Sequence, residues 1–202
     1  MGWKGVGVLA AILWTVPAAS TAQSVTIRTY NNYGVATDDL AAARPYVDAV
    51  FAHAGIEVSW IDCWYGDKEV AGASARCRQP LQAHEVILRL QAAHPQPGKR
   101  YVSMGFALVN IAEGVPFLAT VFPDLVRSVS RDAHLDFGLL LGRAMAHEIG
   151  HLLLDTNRHA DRGLMRAGWS HVELRQNVET DWAFGADEIA VIRAAAVRRN
   201  GL

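Results

Sequence analysis

Two kinds of hydrophobic spacing occur along the chain, and together they predict an α+β fold. Alternating apolar and polar positions, which are typical of strands, occur in five segments: 24–29, 56–62, 84–91, 104–110 and 117–122. Apolar residues at helical spacing occur in three others: 37–54, 132–154 and 187–199. Residues 155–185 show neither pattern, so we expect irregular structure there. Strands and one helix come first and the longest helix follows, which is the order of one α+β domain.

The first 22 residues differ from the rest of the chain. Lys4 is their only charged residue, an apolar run of 12 residues follows at 5–16, and small residues precede Gln23. This layout is typical of a secretory signal peptide cleaved near Ala22, and the run is shorter than the roughly 20 residues that span a bilayer. We therefore expect a secreted or periplasmic protein, with residues 23–202 forming a single domain without a membrane span.

Composition narrows the classes of function. The 19 basic and 20 acidic residues give a net charge of −1, which excludes the broad basic surface that nucleic-acid binding requires. A chain that is 51% apolar and 19% charged is not disordered. Eight histidines beside two cysteines exclude a disulfide-dense scaffold and leave room for a metal site made of imidazoles.

The longest predicted helix contains the motif H-E-x-x-H at residues 147–151. Residues four apart lie on one face of a helix, so His147 and His151 can bind one metal ion. Glu148 follows the first histidine and is placed to take a proton from a water that the metal activates. The motif therefore predicts a Zn²⁺ site with Glu148 as the general base.

The sequence here resembles the metzincin metallopeptidases, whose extended motif is H-E-x-x-H-x-x-G-x-x-H followed by a turn that carries a methionine. His147, Glu148 and His151 match the first half of that motif. Gly163-Leu164-Met165 is similar to the methionine turn, which makes Met165 the residue expected beneath the metal. The strict resemblance covers about 20 residues and extends more loosely to the rest of the predicted domain.

The third zinc ligand is predicted as His159, with alternatives left open. Leu154 occupies the position of the family's glycine and Asn157 that of its third histidine, so the spacing here is H-E-x-x-H-x₇-H. Asn157 tolerates a left-handed backbone and can end the helix, after which His159 can turn back to the metal. The alternatives are Asp155, Asn157 and Asp161 on the metzincin geometry, and Glu173 and Glu179 if a distant glutamate serves as in another zincin clan.

The resemblance also implies a fold and an activity. It implies a mixed sheet packed on the active-site helix, with a small C-terminal subdomain that ends in a helix. It further implies a secreted zinc metalloendopeptidase, monomeric, that binds an extended peptide or protein substrate along an edge strand. Residues 117–122 are the candidate edge strand by position, and Trp169 is expected to line the cleft. The alternative is an exported zinc-binding domain without peptidase activity.

Cys63 and Cys77 are the two cysteines of the chain. Export to an oxidising compartment favours a disulfide between them, which would close a surface loop rich in small residues. Residues 76–80 are faintly similar to the cysteine switch of matrix metalloproteases, in which a thiolate caps the zinc. Because Cys63 offers a partner, the disulfide is favoured over the switch.

Overall fold

Six strands and five α-helices make up the part of the chain that the computed structural model describes, namely residues 1, 23–65, 68–69, 75–94, 103–109, 114 and 117–201. The expected signal peptide lies outside the described residues. The strands are β1 (Gln23–Asn31), β2 (Ile56–Tyr65), β3 (Lys68–Glu69), β4 (Glu85–Leu90), β5 (Gly105–Leu108) and β6 (Leu118–Val121). The helices are α1 (Thr37–His53), α2 (Pro123–Ala133), α3 (Phe137–Leu154), α4 (His171–Gln176) and α5 (Ala186–Asn200).

The strands form one mixed sheet in the order β3-β2-β1-β4-β6-β5. β1 pairs in parallel with β2 and β4, and β4 pairs in parallel with β6. β5 runs antiparallel to β6 and has no neighbour on its other side among the described strands. Strand β5 is therefore one edge of the sheet in the described part of the chain.

Helix α3 is the centre of the hydrophobic core. Leu139 and Leu154 are the only residues along it that are not buried, as expected of a helix that is apolar on all sides. It packs against α1, α2 and α5, and against strands β4, β5 and β6. The residues that carry the H-E-x-x-H motif thus lie inside the molecule. None of the helices in the described part of the chain is long and apolar enough to span a membrane.

The five predicted strands and the first and last predicted helices are confirmed, with their ends shifted by a few residues. The predicted helix over 132–154 is confirmed from residue 137 to residue 154, but its predicted start is wrong, because residues 132–133 belong to the preceding helix α2. His134 ends α2 in the left-handed conformation at φ 56°, and Asp136 starts α3 by accepting a hydrogen bond from the Leu139 N–H at 2.8 Å.

The prediction that residues 117–122 form the edge strand is also wrong. β6 lies between β4 and β5 and is hydrogen-bonded on both sides, so its backbone has no free edge for a peptide. The alternating pattern does not show which strand lies at the edge of the sheet. The preceding strand, β5, pairs antiparallel with β6 and occupies the outer position.

The predicted disulfide between Cys63 and Cys77 is confirmed, with the two Cα atoms 5.6 Å apart. It joins β2 to the short 3₁₀ helix Ala75–Arg78. The described part of the chain has no free cysteine, so the structure does not support a cysteine switch.

Candidate metal centre

Two imidazoles face each other on α3, one turn apart. The Nε2 atoms of His147 and His151 are 3.1 Å apart, as the four-residue spacing predicts. Both side chains are more than nine-tenths buried.

Both rings are oriented by backbone carbonyls. The Nδ1 atom of His147 lies 2.9 Å from the Leu164 carbonyl oxygen, and that of His151 lies 2.7 Å from the Thr156 carbonyl oxygen. A carbonyl oxygen only accepts, so each Nδ1 carries the proton and donates it. Each Nε2 of the neutral ring is then left with a lone pair directed toward the other ring, as in metal-binding histidines.

The chain after α3 brings in the third imidazole. Asp155 ends the helix in the left-handed conformation at φ 51°, so the prediction that Asn157 takes this position is wrong. The segment then returns alongside residues 163–166, with the Ala160 N–H donating to the Met165 carbonyl at 2.9 Å. As a result, the ring of His159 lies 5.4 Å from that of His147 and 5.0 Å from that of His151, between ring centres.

The three histidines form a group that fits a cation. One nitrogen of each of His147, His151 and His159 lies within 4.8 Å of the others. Burial is the main cause that lowers the pKa of all three, to about 4 for His147, so the rings are neutral near pH 7. Three neutral imidazoles with converging lone pairs repel one another, and a bound metal ion removes that repulsion. This donor set is typical of zinc.

The other candidate ligands lie outside this group. Among the described residues, no carboxylate or thiol joins the three imidazoles. Asn157 lines the cleft beside them. Glu173 instead accepts hydrogen bonds from the Ser170 backbone and from Arg166, and caps α4.

Glu148 lies next to the histidines and is 6% exposed. Burial raises the pKa of its carboxyl group to about 8. Strand β5 crosses directly over this side chain. A Cβ atom on Gly105 would lie 2.7 Å from both Cγ and Oε1 of Glu148 and 2.6 Å from the Thr120 carbonyl oxygen. Only glycine at position 105 leaves room for the carboxylate.

Met165 is fully buried next to α3. Its sulfur lies 2.8 Å from the point that a Cβ atom on Gly150 would occupy, so the helix and the 163–166 turn are in close contact. The adjacent residue, Leu164, supplies the carbonyl that orients His147. The role of Met165 as a methionine-turn residue stays a prediction.

A cleft of about 590 Å³ opens onto the three histidines and Glu148. Gly105, Phe106 and Ala107 of β5 form one wall. Residues 166–169 and His171 also line the cleft, and this lining includes Trp169, as the sequence predicted. Val129 of α2 and Ala144 of α3 line the cleft with apolar surface.

Arg166 lines the cleft, although it was not predicted as a site residue from the sequence. Its Nε donates to the Gly163 carbonyl at 3.0 Å, and its guanidinium pairs with Glu173. One feature of the sequence could have indicated Arg166. It is a charged residue immediately after Met165, in a segment, 163–169, whose other residues are apolar or small.

The fold and the site together define a class: a mixed sheet packed on a buried helix that carries H-E-x-x-H, with a third histidine from the following loop. No family model and no curated protein matches the sequence. Among solved structures, the chain is similar to archaemetzincin from Methanopyrus kandleri, with a TM-score of 0.50, 15% identity, and coverage of 91% of this chain and 100% of that one.

It is also similar to metalloproteinase-II from Bacteroides fragilis, with a TM-score of 0.53 and 15% identity. That alignment covers 89% of this chain and 55% of the other, so the chain spans about half the length of that protein. At such identities the likeness concerns the fold. The predicted fold class, a metzincin-like α+β domain, is confirmed.

Proposed function

We propose that this protein is an exported zinc-dependent metallopeptidase that hydrolyses peptide bonds. The observation that carries the proposal is the convergence of three neutral imidazoles beside a buried carboxyl group at an open cleft. A purely structural zinc site is usually closed by four protein ligands, whereas a catalytic site has three and keeps a position open. The resemblance in sequence and the likeness in fold to metalloproteinases support the same conclusion.

His147, His151 and His159 would hold the zinc ion. When bound, zinc supplies a Lewis acid that polarises the scissile carbonyl and lowers the pKa of a water molecule. Glu148 accepts the proton of the attacking water and later delivers it to the leaving amine. Burial alone raises the pKa of this carboxyl group, and a cation bound by the neighbouring histidines would favour the ionised form that accepts the proton.

Strand β5 would bind the substrate. Its outer edge is unpaired among the described strands, and it forms a wall of the cleft. An extended peptide that adds to this edge uses backbone hydrogen bonds for affinity, while its side chains contact the cleft. Phe106 and Leu108, at 38% and 45% exposure, add apolar surface on this strand.

The decisive experiment combines zinc stoichiometry with peptidase assays. We expect the wild-type protein to bind one zinc ion per chain and to cleave an unstructured protein substrate. Glu148→Gln should retain zinc and lose activity by about 100-fold or more. His159→Ala should lose zinc affinity, whereas His53→Ala, which changes an exposed histidine at the end of α1, should change neither property.

Three outcomes would contradict the proposal or one of its parts. Full activity of Glu148→Gln would remove the general base from the mechanism. Stoichiometric zinc without cleavage of any peptide would favour the alternative, an exported zinc-binding domain without peptidase activity. Unchanged zinc affinity in His159→Ala would exclude that residue as the third ligand.

A further inference from the structure

An unusual group of hydrogen-bond donors lies behind one wall of the cleft. Among the described residues, eight buried side-chain polar atoms lack a partner, and four of them belong to Trp182 or to the three residues that pack around its ring. These four are Nη1 of Arg143, Nη2 of Arg166, Nε1 of Trp169 and Nε1 of Trp182. All four are donors. Buried donors without acceptors are rare because each costs free energy, so an acceptor is missing from this group.

The group is held together by ring contacts around Trp182. The Arg143 guanidinium carbon lies 3.5 Å from the ring centre of Trp182, and that of Arg166 lies 5.9 Å from it. The Trp169 ring packs edge-on against Trp182 at 5.3 Å, and against His147 at 5.6 Å. We call these four residues, Arg143, Arg166, Trp169 and Trp182, the donor cluster.

The charge of the donor cluster is only partly balanced. Arg166 pairs with Glu173, but Arg143 is 4% exposed, and the polar partner it contacts is the neutral side chain of Asn177. No carboxylate among the described residues forms an ion pair with Arg143. Burial lowers the pKa of Arg143 to about 10, so it remains a cation at neutral pH. The missing acceptor should therefore be an anion.

The donor cluster reaches the cleft through two of its members. Arg166 and Trp169 both line the cleft, next to the ring of His147. Glu148 is the one carboxyl group among the described lining residues, and it lies on α3 rather than in the 166–169 segment. A group that enters the cleft at these residues meets hydrogen-bond donors and the Arg166 guanidinium, whose ion-pair partner Glu173 lies outside the cleft lining.

We propose that the donor cluster is a subsite for a carboxylate of the substrate, so that the enzyme selects peptides carrying an acidic group near the scissile bond. The inference rests on the proposed peptidase function and adds a substrate class to it. A carboxylate supplies the acceptor atoms that the cluster lacks and pairs with a guanidinium more strongly than a neutral amide does. The carboxylate can belong to an Asp or Glu side chain or to the C-terminus of the peptide.

Matched peptides test the proposal. One series replaces Glu by Gln at each position around the scissile bond in turn, and a second replaces a C-terminal carboxylate by an amide. We measure kcat/KM with the zinc-loaded wild type, and we measure binding of labelled peptides to zinc-loaded Glu148→Gln by fluorescence polarisation. We expect a preference for the carboxylate of about tenfold or more at one position, and the two series tell which source supplies it.

Variants identify the residues responsible. In Arg143→Met, the ratio of kcat/KM for the carboxylate peptide to kcat/KM for the amide peptide should fall to about 1. Arg127→Met is the matched control, because the Arg127 guanidinium also stacks on an aromatic ring, that of Phe137 at 3.6 Å, but pairs with Asp39. The ratio should be unchanged in this control. If Arg143→Met does not fold, Arg166→Gln tests the same ratio at the second guanidinium group of the donor cluster.

The outcomes separate this inference from the proposed function. Cleavage of carboxylate and amide peptides with equal kcat/KM in the wild type overturns the subsite and leaves the peptidase standing. If no peptide is cleaved but the binding assay shows a carboxylate preference that depends on Arg143, the proposed peptidase activity is overturned and the carboxylate site is retained. A preference that persists in both Arg143→Met and Arg166→Gln shows that other residues recognise the carboxylate.

Discussion

At the scale of single residues, the orientation of two of the metal-site histidines depends on backbone carbonyl groups that accept hydrogen bonds from their Nδ1 atoms. Carbonyl oxygens of Leu164 and Thr156 fix the rings of His147 and His151, so that the Nε2 lone pairs converge. Such backing hydrogen bonds keep the correct tautomer and orientation without any movement when a metal binds. The backbone at residues 156 and 164 therefore contributes to metal binding although neither side chain is a ligand.

Gly105 offers a direct test of the position of Glu148. A methyl group at this position would lie 2.7 Å from the Glu148 carboxylate and 2.6 Å from the Thr120 carbonyl oxygen, so either the carboxylate or the strand must shift. We expect Gly105→Ala to lower kcat on a cleaved peptide by about 100-fold, because a displacement of this size misplaces the general base. The zinc content should be retained.

Gly201→Ala serves as the control, because the nearest atom to its added Cβ lies 3.4 Å away at the end of α5. An unchanged kcat in Gly105→Ala would show that β5 does not constrain the general base.

Most of the metal-site residues could be predicted from the sequence, because a helix of fixed periodicity sets the relation between residues 147, 148 and 151. The position of His159 required the backbone of Asp155, because aspartate and asparagine both favour the left-handed conformation relative to other side chains and the sequence offers both Asp155 and Asn157 as helix ends. The contact between Gly105 and Glu148 joins residues that are far apart in the chain. No local pattern reports such a contact.

At the scale of elements, helix α3 supplies both the core and the chemistry. One of its ends is fixed by a side chain and the other by a backbone conformation, since Asp136 caps the first turn and Asp155 ends the last in the left-handed region. The helix is buried on nearly every side, so its axial position is set by the packing of its neighbours. The positions of His147 and His151 are therefore also set by this packing.

The first turn of α3 provides a test of where this helix begins. Asp136→Ala removes the side chain that accepts the Leu139 N–H, and it should lower the free energy of unfolding by about 1 kcal/mol. Asp132→Ala is the matched control, because Asp132 is exposed in the last turn of α2, where an acidic residue is not favoured by the helix dipole.

Urea denaturation of both variants measures the difference. A larger loss in Asp132→Ala than in Asp136→Ala would support a single helix that begins at residue 132.

Short elements were the least predictable from sequence. Strand β3 has two residues and α4 has six, which is too few for a periodic pattern. Helix α4 did carry a local signal, since Ser170 and Glu173 form a capping box that satisfies the N–H groups of its first turn. Helix α2 was missed although Pro123 stands at its start, a favoured position for proline.

At the scale of the whole molecule, a buried ionic group connects the sheet to the disulfide region. Glu85, at the start of β4, receives hydrogen bonds from Arg28 of β1 and from Arg76 of the 3₁₀ helix next to Cys77. Arg28 also donates to the carbonyl oxygens of Gln79 and Pro80, at 2.9 and 3.2 Å. The loop closed by the disulfide is thus attached to the centre of the sheet.

This ionic group should make stability depend on pH. Burial alone would raise the pKa of Glu85, but the Gln82 N–H and the guanidinium groups of Arg28 and Arg76 lower it below its ordinary value. Because the folded pKa is the lower one, the stabilisation is complete above the ordinary pKa and is lost as the pH falls through the folded value. Glu85→Gln should therefore lower the free energy of unfolding by roughly 3–5 kcal/mol at pH 7.

The difference in the free energy of unfolding between the wild type and Glu85→Gln should become smaller as the pH is lowered below about 4. Asp62→Asn, which breaks the more exposed pair with Arg44, should cost no more than about 1 kcal/mol. Denaturation curves at several pH values provide the measurement. Equal losses in the two variants at pH 7 would show that burial adds nothing to the Glu85 interactions.

The strand order has a consequence for how the chain folds. β1, the first strand in the described sequence, lies between β2 and β4, and its Ser24 carbonyl accepts a hydrogen bond at 2.9 Å from Asn200, 176 residues away. Within the described part of the chain, β1 therefore makes its contact with α5 only after residue 200 has been synthesised. Folding must close loops that span most of the described residues, which slows it, and β1 is exposed to aggregation until β2 and β4 pair with it.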